Sequence, residues 1–407
     1  MKNKLVFGSI ILSLFFSFSC SKMIDEPTPI DLDLKSKALV EADNAFGLDL
    51  FKALNETEEG NFNISPLSVS LALAMTYNGA EGETKMAMEE AMRLTGLSTD
   101  EINQSYQSLV KALLEADSKV TMEVAQSIWC RLGYNVLDDF INVNQTYYDA
   151  EVRELDFSRS DAKDIMNGWI EDKTHNKIKN MITEVSPSHV MFLINAIYFN
   201  GEWQHKFDKE NTQKRAFKIK DDQTVQVDMM QKEDSVLMTS NDLFSAIQMP
   251  YGRGNFNMVV LLPNEGKTCN ELISSLSSDN WKVLMQNFVP ANNVDIWLPK
   301  FKDDYKIKLN DVLSAMGMEV AFTPSADFSG INGNGGIWID YVLHQTFIDV
   351  SEKGTEAAAA TVVAMIETAM PSTPQFHADR PFIYAITEKE TGAILFMGKM
   401  TKPAYNS

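Results

Sequence analysis

From residue 120 onward this 407-residue chain is dominated by strand-like runs, and no other feature constrains its fold as strongly. Stretches rich in β-branched and aromatic residues fall at 120–130, 190–199, 214–231, 243–249, 255–263, 293–301, 337–350, 380–387 and 393–400. "PYGRGNFNMVVLLPNEG" reads as a turn feeding a buried strand, its ends marked by Gly and Pro. Before residue 120 the period is helical, at 38–55, 66–78, 82–94 and 100–116, and one further helical block, 160–180, interrupts the strands. Ser65 and Pro66 supply an N-cap and a first-turn proline for the second helix. Helices first and long strands afterwards predict an α+β fold with antiparallel or mixed sheets. No linker-like stretch divides 37–407, so one large domain is expected there.

The N-terminus reads as a targeting segment. A basic start, "MKNK", precedes an apolar core too short to span a membrane comfortably, and small residues flank Cys20. The pattern resembles a bacterial lipoprotein signal, with residues 1–19 removed, Cys20 acylated and 20–36 a tether to the envelope or cell surface. Ser17 stands where such signals usually carry Leu, and plain secretion is the competing reading. Losing Lys2 and Lys4 would move the formal net charge from −20 to −22. That sign argues against nucleic acid, polyanions or anionic membrane surfaces as partners, leaving the lipid as the only membrane contact. Cys130 and Cys269 remain, too few for a disulfide framework, and both sit among apolar residues as small hydrophobes would.

Catalytic signatures are missing from the sequence. His175, His189, His205, His344 and His377 have no partner at metal-ligand spacing, and there is no H-E-x-x-H, C-x-x-C, G-x-S-x-G or phosphate-binding loop. "GINGNGG" at 330–336 lacks the strand–GxGxxG–helix spacing and reads as a tight turn. No cofactor, metal or enzymatic role is expected.

The ordered motifs do resemble a known family. "NFNISPLSVSLALAMTYNGAEGET" (61–84), "MNGWIEDKTHNKIKNMI" (166–182), "VMFLINAIYFNGEWQHKF" (190–207), "MPYGRGNFNMVVLLP" (249–263), "LPKF" (298–301), "DFSGI" (327–331), "HQTFIDVSEKGTEAAAAT" (344–361) and "RPFIYAITEKETGAILFMGKM" (380–400) follow one another as in serpins. The resemblance spans roughly 37–403 and includes the bacterial lipoprotein members of that family. It implies three β-sheets, eight or nine helices, an exposed reactive-centre loop at about 352–376, and a monomer. It also implies suicide inhibition of serine proteases, sometimes of papain-like cysteine proteases, by insertion of the cleaved loop as a new strand.

The loop composition permits such insertion. From Thr355 the alternate set Thr355, Ala357, Ala359, Thr361, Val363 and Met365 is uncharged, and Glu356 falls on the opposite face with Ala358 and Ala360. No Pro occurs before Pro371, and Gly354 gives the hinge freedom to turn. The alanines also permit a helix while the loop is intact. Counting from the hinge residue Glu352 as the family does places the reactive bond at Thr368–Ala369. Counting back from Pro381–Phe382 indicates Met370, and Glu367 is bait for a glutamate-specific protease. The small Thr368 and Ala369 suit elastase-like or subtilisin-like pockets, and without Arg or Lys between 354 and 379 trypsin-like targets are disfavoured. By resemblance, Ser65, Ser68, Asn195 and His344 form the polar shutter beneath the sheet and Trp203 is the breach tryptophan. A non-inhibitory binding or scaffold protein of the same fold is the alternative.

Overall fold

The computed structural model describes residues 29–220, 223–355 and 374–405. Its helices are α1 (Leu34–Asn55), α2 (Pro66–Tyr77), α3 (Gly82–Ala91), α4 (Thr99–Glu115), α5 (Asp138–Tyr148), α6 (Ala162–Lys173), α7 (Cys269–Ser275) and α8 (Ser278–Gln286), with two single-turn helices, α9 (Asn310–Leu313) and α10 (Ser329–Asn332). Helix α1 begins inside the segment read as tether, because Asp33 caps it at the Ser36 amide and Leu32 and Ser36 are buried. In α2 the Ser65 hydroxyl accepts from the Ser68 amide and Pro66 occupies the first turn, as the sequence predicts. All but one residue of α2 is buried, so its polar side chains face protein rather than water. The block expected to be helical to residue 180 stops at Lys173, where His175 and Asn176 turn to positive φ.

The strands are β1 (Phe62–Ile64), β2 (Val120–Arg131), β3 (Glu151–Leu155), β4 (Met191–Glu202), β5 (Gln213–Lys220), β6 (Gln223–Ser240), β7 (Phe244–Pro250) and β8 (Phe256–Pro263). Then come β9 (Val289–Pro299), β10 (Phe301–Lys308), β11 (Leu343–Val350), β12 (Gly354–Thr355), β13 (Gln375–His377), β14 (Phe382–Glu388) and β15 (Ile394–Met400). Two runs read as single strands divide: 214–231 is the antiparallel pair β5–β6, and 293–301 joins the end of β9 to the start of β10. The expected strand 337–350 begins only at Leu343.

Among the described residues these strands make three sheets. The largest has nine strands, in the order β1-β15-β14-β8-β7-β6-β9-β13, with β5 added to β6. Strands β8, β14 and β15 are buried along their whole length, which explains why their sequences run apolar instead of alternating. A four-stranded sheet, β12-β4-β2-β3, carries α6 on one face, where Met166 and Ile170 pack with Trp129, Phe192 and Ile194. The third sheet is the antiparallel ribbon β10–β11. Cys130 and Cys269 are both buried and unbridged, and burial raises the Cys130 thiol to about 11, so both behave as core hydrophobes.

Candidate functional site

The site is the seam between β4 of the four-stranded sheet and β11 of the ribbon. Among the described residues no ladder joins these two strands. They are nevertheless close: Phe347 of β11 lines a small hollow with Ile197, Tyr198 and Thr355, and Leu343 and Phe347 pack against the cluster holding Phe192 and Ile194. A strand edge outside any ladder presents backbone donors and acceptors that another strand can take up.

At its upper end the seam is closed by the hinge. Ser351 and Gly354 exchange amide–carbonyl bonds of 3.0 and 3.1 Å in a tight turn, and Gly354–Thr355 then pair antiparallel with Glu202 and Gly201 of β4. Gly354 sits at φ +131° with Glu202 Cα 2.6 Å from where a Cβ would stand, so only glycine fits there. Trp203 stacks on Tyr251 with centroids 4.4 Å apart and donates through Nε1 to the Ser351 carbonyl at 2.9 Å. The Tyr251 hydroxyl and the buried Thr355 hydroxyl share a 3.1 Å hydrogen bond. Glu352 is buried against Lys300 Nζ at 3.0 Å and accepts from the Thr212 hydroxyl at 2.9 Å. Burial works to raise its carboxyl pKa, but its own amide, Lys300 and Thr212 outweigh burial and hold it below the usual range.

Midway down, all four expected shutter residues meet. Ser65 donates its backbone N–H to His344 Nε2 at 3.0 Å, and the Ser68 hydroxyl donates to Asn195 Oδ1 at 2.6 Å. His344 must therefore be neutral with its proton on Nδ1, and burial alone lowers its pKa to about 4. Asn195 Nδ2 is buried without a partner. Below the shutter the seam widens into a cavity of about 550 Å³, walled by Val69 and Leu73 of α2, Phe192 and Ile194 of β4, and Ile339 and Leu343.

Trp203, Gly354, Thr355 and Glu352 are thus brought together at one end of the seam, and Ser65, Ser68, Asn195 and His344 at its middle. Glu356, Ala357, Ala358, Ala359, Ala360 and Thr361 of the hinge, the reactive-bond candidates Glu367, Thr368, Ala369 and Met370, and Cys20 lie outside the described residues. Reading the sequence did not single out Lys300, Thr212 or Tyr251. Two of these stand within quoted motifs, Lys300 in "LPKF" and Tyr251 in "MPYGRGNF", but nothing in the spacing pairs either with the hinge.

The serpin (serine protease inhibitor) family model matches residues 41–403. The chain belongs to the serpin family. An uncharacterized serpin-like protein of Methanosarcina mazei is 34% identical over 380 residues, 91% of this chain and 88% of that protein. The native thermophilic serpin tengpin aligns with TM-score 0.82 and 32% identity, over 92% of this chain and 96% of its own. Human thyroxine-binding globulin complexed with thyroxine aligns with TM-score 0.83 and 29% identity, over 91% of this chain and 100% of its own. The three sheets and eight helices of seven residues or more found among the described residues are what the family fold implies. Protease inhibition is the function that membership supports in general.

Proposed function

We propose that this serpin is inhibitory and traps elastase-like or subtilisin-like serine proteases, with papain-like cysteine proteases as further targets, by inserting its loop between β4 and β11. One observation supports this reading above the others: among the described residues no ladder joins β4 to β11, yet Gly354 and Thr355 are already laid on β4. The protease's nucleophile attacks the carbonyl carbon of the bait residue, Thr368 by the hinge count. The bond to Ala369 breaks, the new amine leaves with the proton given up by the nucleophile, and an acyl-enzyme remains, an ester for a serine protease and a thioester for a cysteine protease. The freed chain then extends the β12 pairing downward. Thirteen steps from Thr355 to Thr368 at ~3.3 Å each carry the tethered protease on the order of 40 Å. Burial of Val363 and Met365 contributes roughly 1.5–3 kcal/mol each, with ladder bonds in addition. Displacing the protease's nucleophile from its base and oxyanion hole stalls deacylation, which tolerates little misplacement. An intact chain that holds this energy is kept by a kinetic barrier. Export and anchoring through Cys20 would place the inhibitor outside the cytoplasm.

Incubation with elastase and separation on a denaturing gel tests the proposal. A complex that survives boiling in SDS, with a released peptide whose mass starts at Ala369, is expected. Clean loop cleavage without complex overturns it in favour of a binding protein of the same fold. A cut after Glu367 reassigns the target to a glutamate-specific protease.

A further inference from the structure

The cavity below the shutter is large enough to hold more than water: at about 550 Å³ it falls within the range of small-molecule sites. Its inner walls are largely apolar, but its mouth is not. Glu184, Trp338 and Asp340 line it and are all exposed, which places the opening between the segment leading into β4 and the segment leading into β11. Short bonds brace that opening. Ser186 donates its backbone N–H to His189 Nδ1 at 3.1 Å, and His189 Nε2 reaches Asp340 Oδ2 at 3.2 Å. With Nδ1 accepting, the ring proton sits on Nε2 and points to the carboxylate. The Tyr341 hydroxyl donates to the Glu184 carbonyl at 3.2 Å. The His189 ring meets Phe192 and Tyr341 edge-on, at centroid distances of 5.2 and 5.8 Å. The mouth is therefore a built frame, formed before any ligand arrives.

Charge decides what would fit. Glu184 and Asp340 bring two carboxylates to the lining, and among the described residues no Lys or Arg lines the cavity. His189 is neutral in this bonding pattern. The Asp340 side chain is 61% exposed and remains open to a second partner. The formal net charge of −20 adds the same sign at longer range. A fatty acid or other anion would enter past two like charges. An ammonium could instead pair with both carboxylates and lie on Trp338 or Tyr341, whose ring faces attract cations. We infer that this cavity is a binding site for a small hydrophobic cation, an amine or quaternary ammonium with an alkyl or ring body. Glu184, Asp340 and Trp338 hold its charged end, and Leu73, Ile194 and Ile339 take its body. The inference does not rest on loop insertion, because the intact chain offers the site as it stands.

Isothermal titration calorimetry of the full chain, without protease, tests it with n-octyltrimethylammonium, octanoate and 1-octanol, each below its micellar or solubility limit. The cation is expected to bind one to one and about tenfold tighter than the anion, with octanol between them. E184Q/D340N should lose about tenfold in affinity for the cation while octanol binding is unchanged. Both substitutions spare the frame, since Tyr341 bonds the backbone at 184 and the amide oxygen of D340N still accepts from His189. I339W, which fills the body of the cavity, should abolish binding of all three probes while melting near wild type. E184Q/D340N decides on its own where I339W fails to fold. Octanoate binding as tightly as the cation overturns the charge assignment. Cation binding that survives E184Q/D340N unchanged overturns the site, and no binding of the cation by wild type overturns the inference whole.

Discussion

Removing the titration of His344 should change how the native state responds to acid. In the fold Nε2 accepts the Ser65 amide, and burial lowers the pKa from 6.5 to about 4. Between these values the unfolded chain takes up a proton that the folded chain refuses, so stability falls as pH drops through the window. Above 6.5 both states are neutral and below about 4 both are charged, and neither range adds to the loss. The difference corresponds to about 3 kcal/mol as an upper limit. Asp43 opposes this: burial outweighs the hydrogen bond from Tyr106 and raises its carboxyl to about 7, so its contribution is lost as pH rises through that value. The two partly cancel in the wild type, and the informative quantity is the difference between wild type and H344Q. Denaturant midpoints measured at half-unit steps from pH 4 to 7 should give a wild-type curve that falls relative to H344Q as acid is added, by up to that limit. On the proposed reading the native state is held kinetically, and unfolding rates would then report the share lost at the barrier. Parallel curves for the two proteins, or a His344 NMR titration near 6.5, would refute the argument.

Other substitutions around the seam have defined expectations. S68A leaves Asn195 Oδ1 without its 2.6 Å donor and should cost about 1–3 kcal/mol in the intact form, read as a lower denaturant midpoint. G354A forces a Cβ against the Gly201 carbonyl at positive φ, so β12 should lift from β4, lowering the melting midpoint of the intact protein and the yield of SDS-stable complex together. E352Q strands Lys300 beneath the hinge. Its cost should sit at the low end of the ~3–5 kcal/mol for breaking a buried pair, because the Tyr405 ring also faces Lys300 at 4.2 Å; an unchanged midpoint would show that the pair is idle.

Legibility in the sequence followed the kind of force involved. The α2 cap was readable because an N-cap serine and a first-turn proline act within three residues. Strands β8, β14 and β15 were readable because burial on both faces leaves unbroken apolar runs. Strand β10, "FKDDYKIK", was missed because only Phe301 is buried along it and its charges mask the alternation. Helix α5, "DDFINVNQTYY", was missed because Phe140, Asn144 and Tyr148 make its buried stripe, of which one residue is an amide. The shutter was found through motif order, not local pattern, since Ser65 and His344 are 279 residues apart. The Lys300–Glu352 pair and the Trp203–Tyr251 stack are also long-range, and nothing local encodes them.

The seam itself belongs to a different class of feature, since it consists in pairing that is withheld. Strands β4 and β11 each have a well-paired neighbour on one side, β2 and β10, and the register of neither ladder demands that the other side be filled. Beneath both strands lies α2, offering Ser65 and Ser68 to His344 and Asn195. An all-apolar floor would bury as much surface, but it would leave the amide of Ser65 unanswered and give the sheet no bonds to exchange when it opens. The unpartnered Asn195 Nδ2 fits this view, because it is a buried donor that an entering backbone carbonyl would satisfy. On that reasoning N195L, which keeps the volume but removes this donor together with the acceptor of the Ser68 hydroxyl, should reduce the gain in melting temperature on loop cleavage more than S68A does. Equal gains in the two variants would show that Asn195 serves the closed state alone.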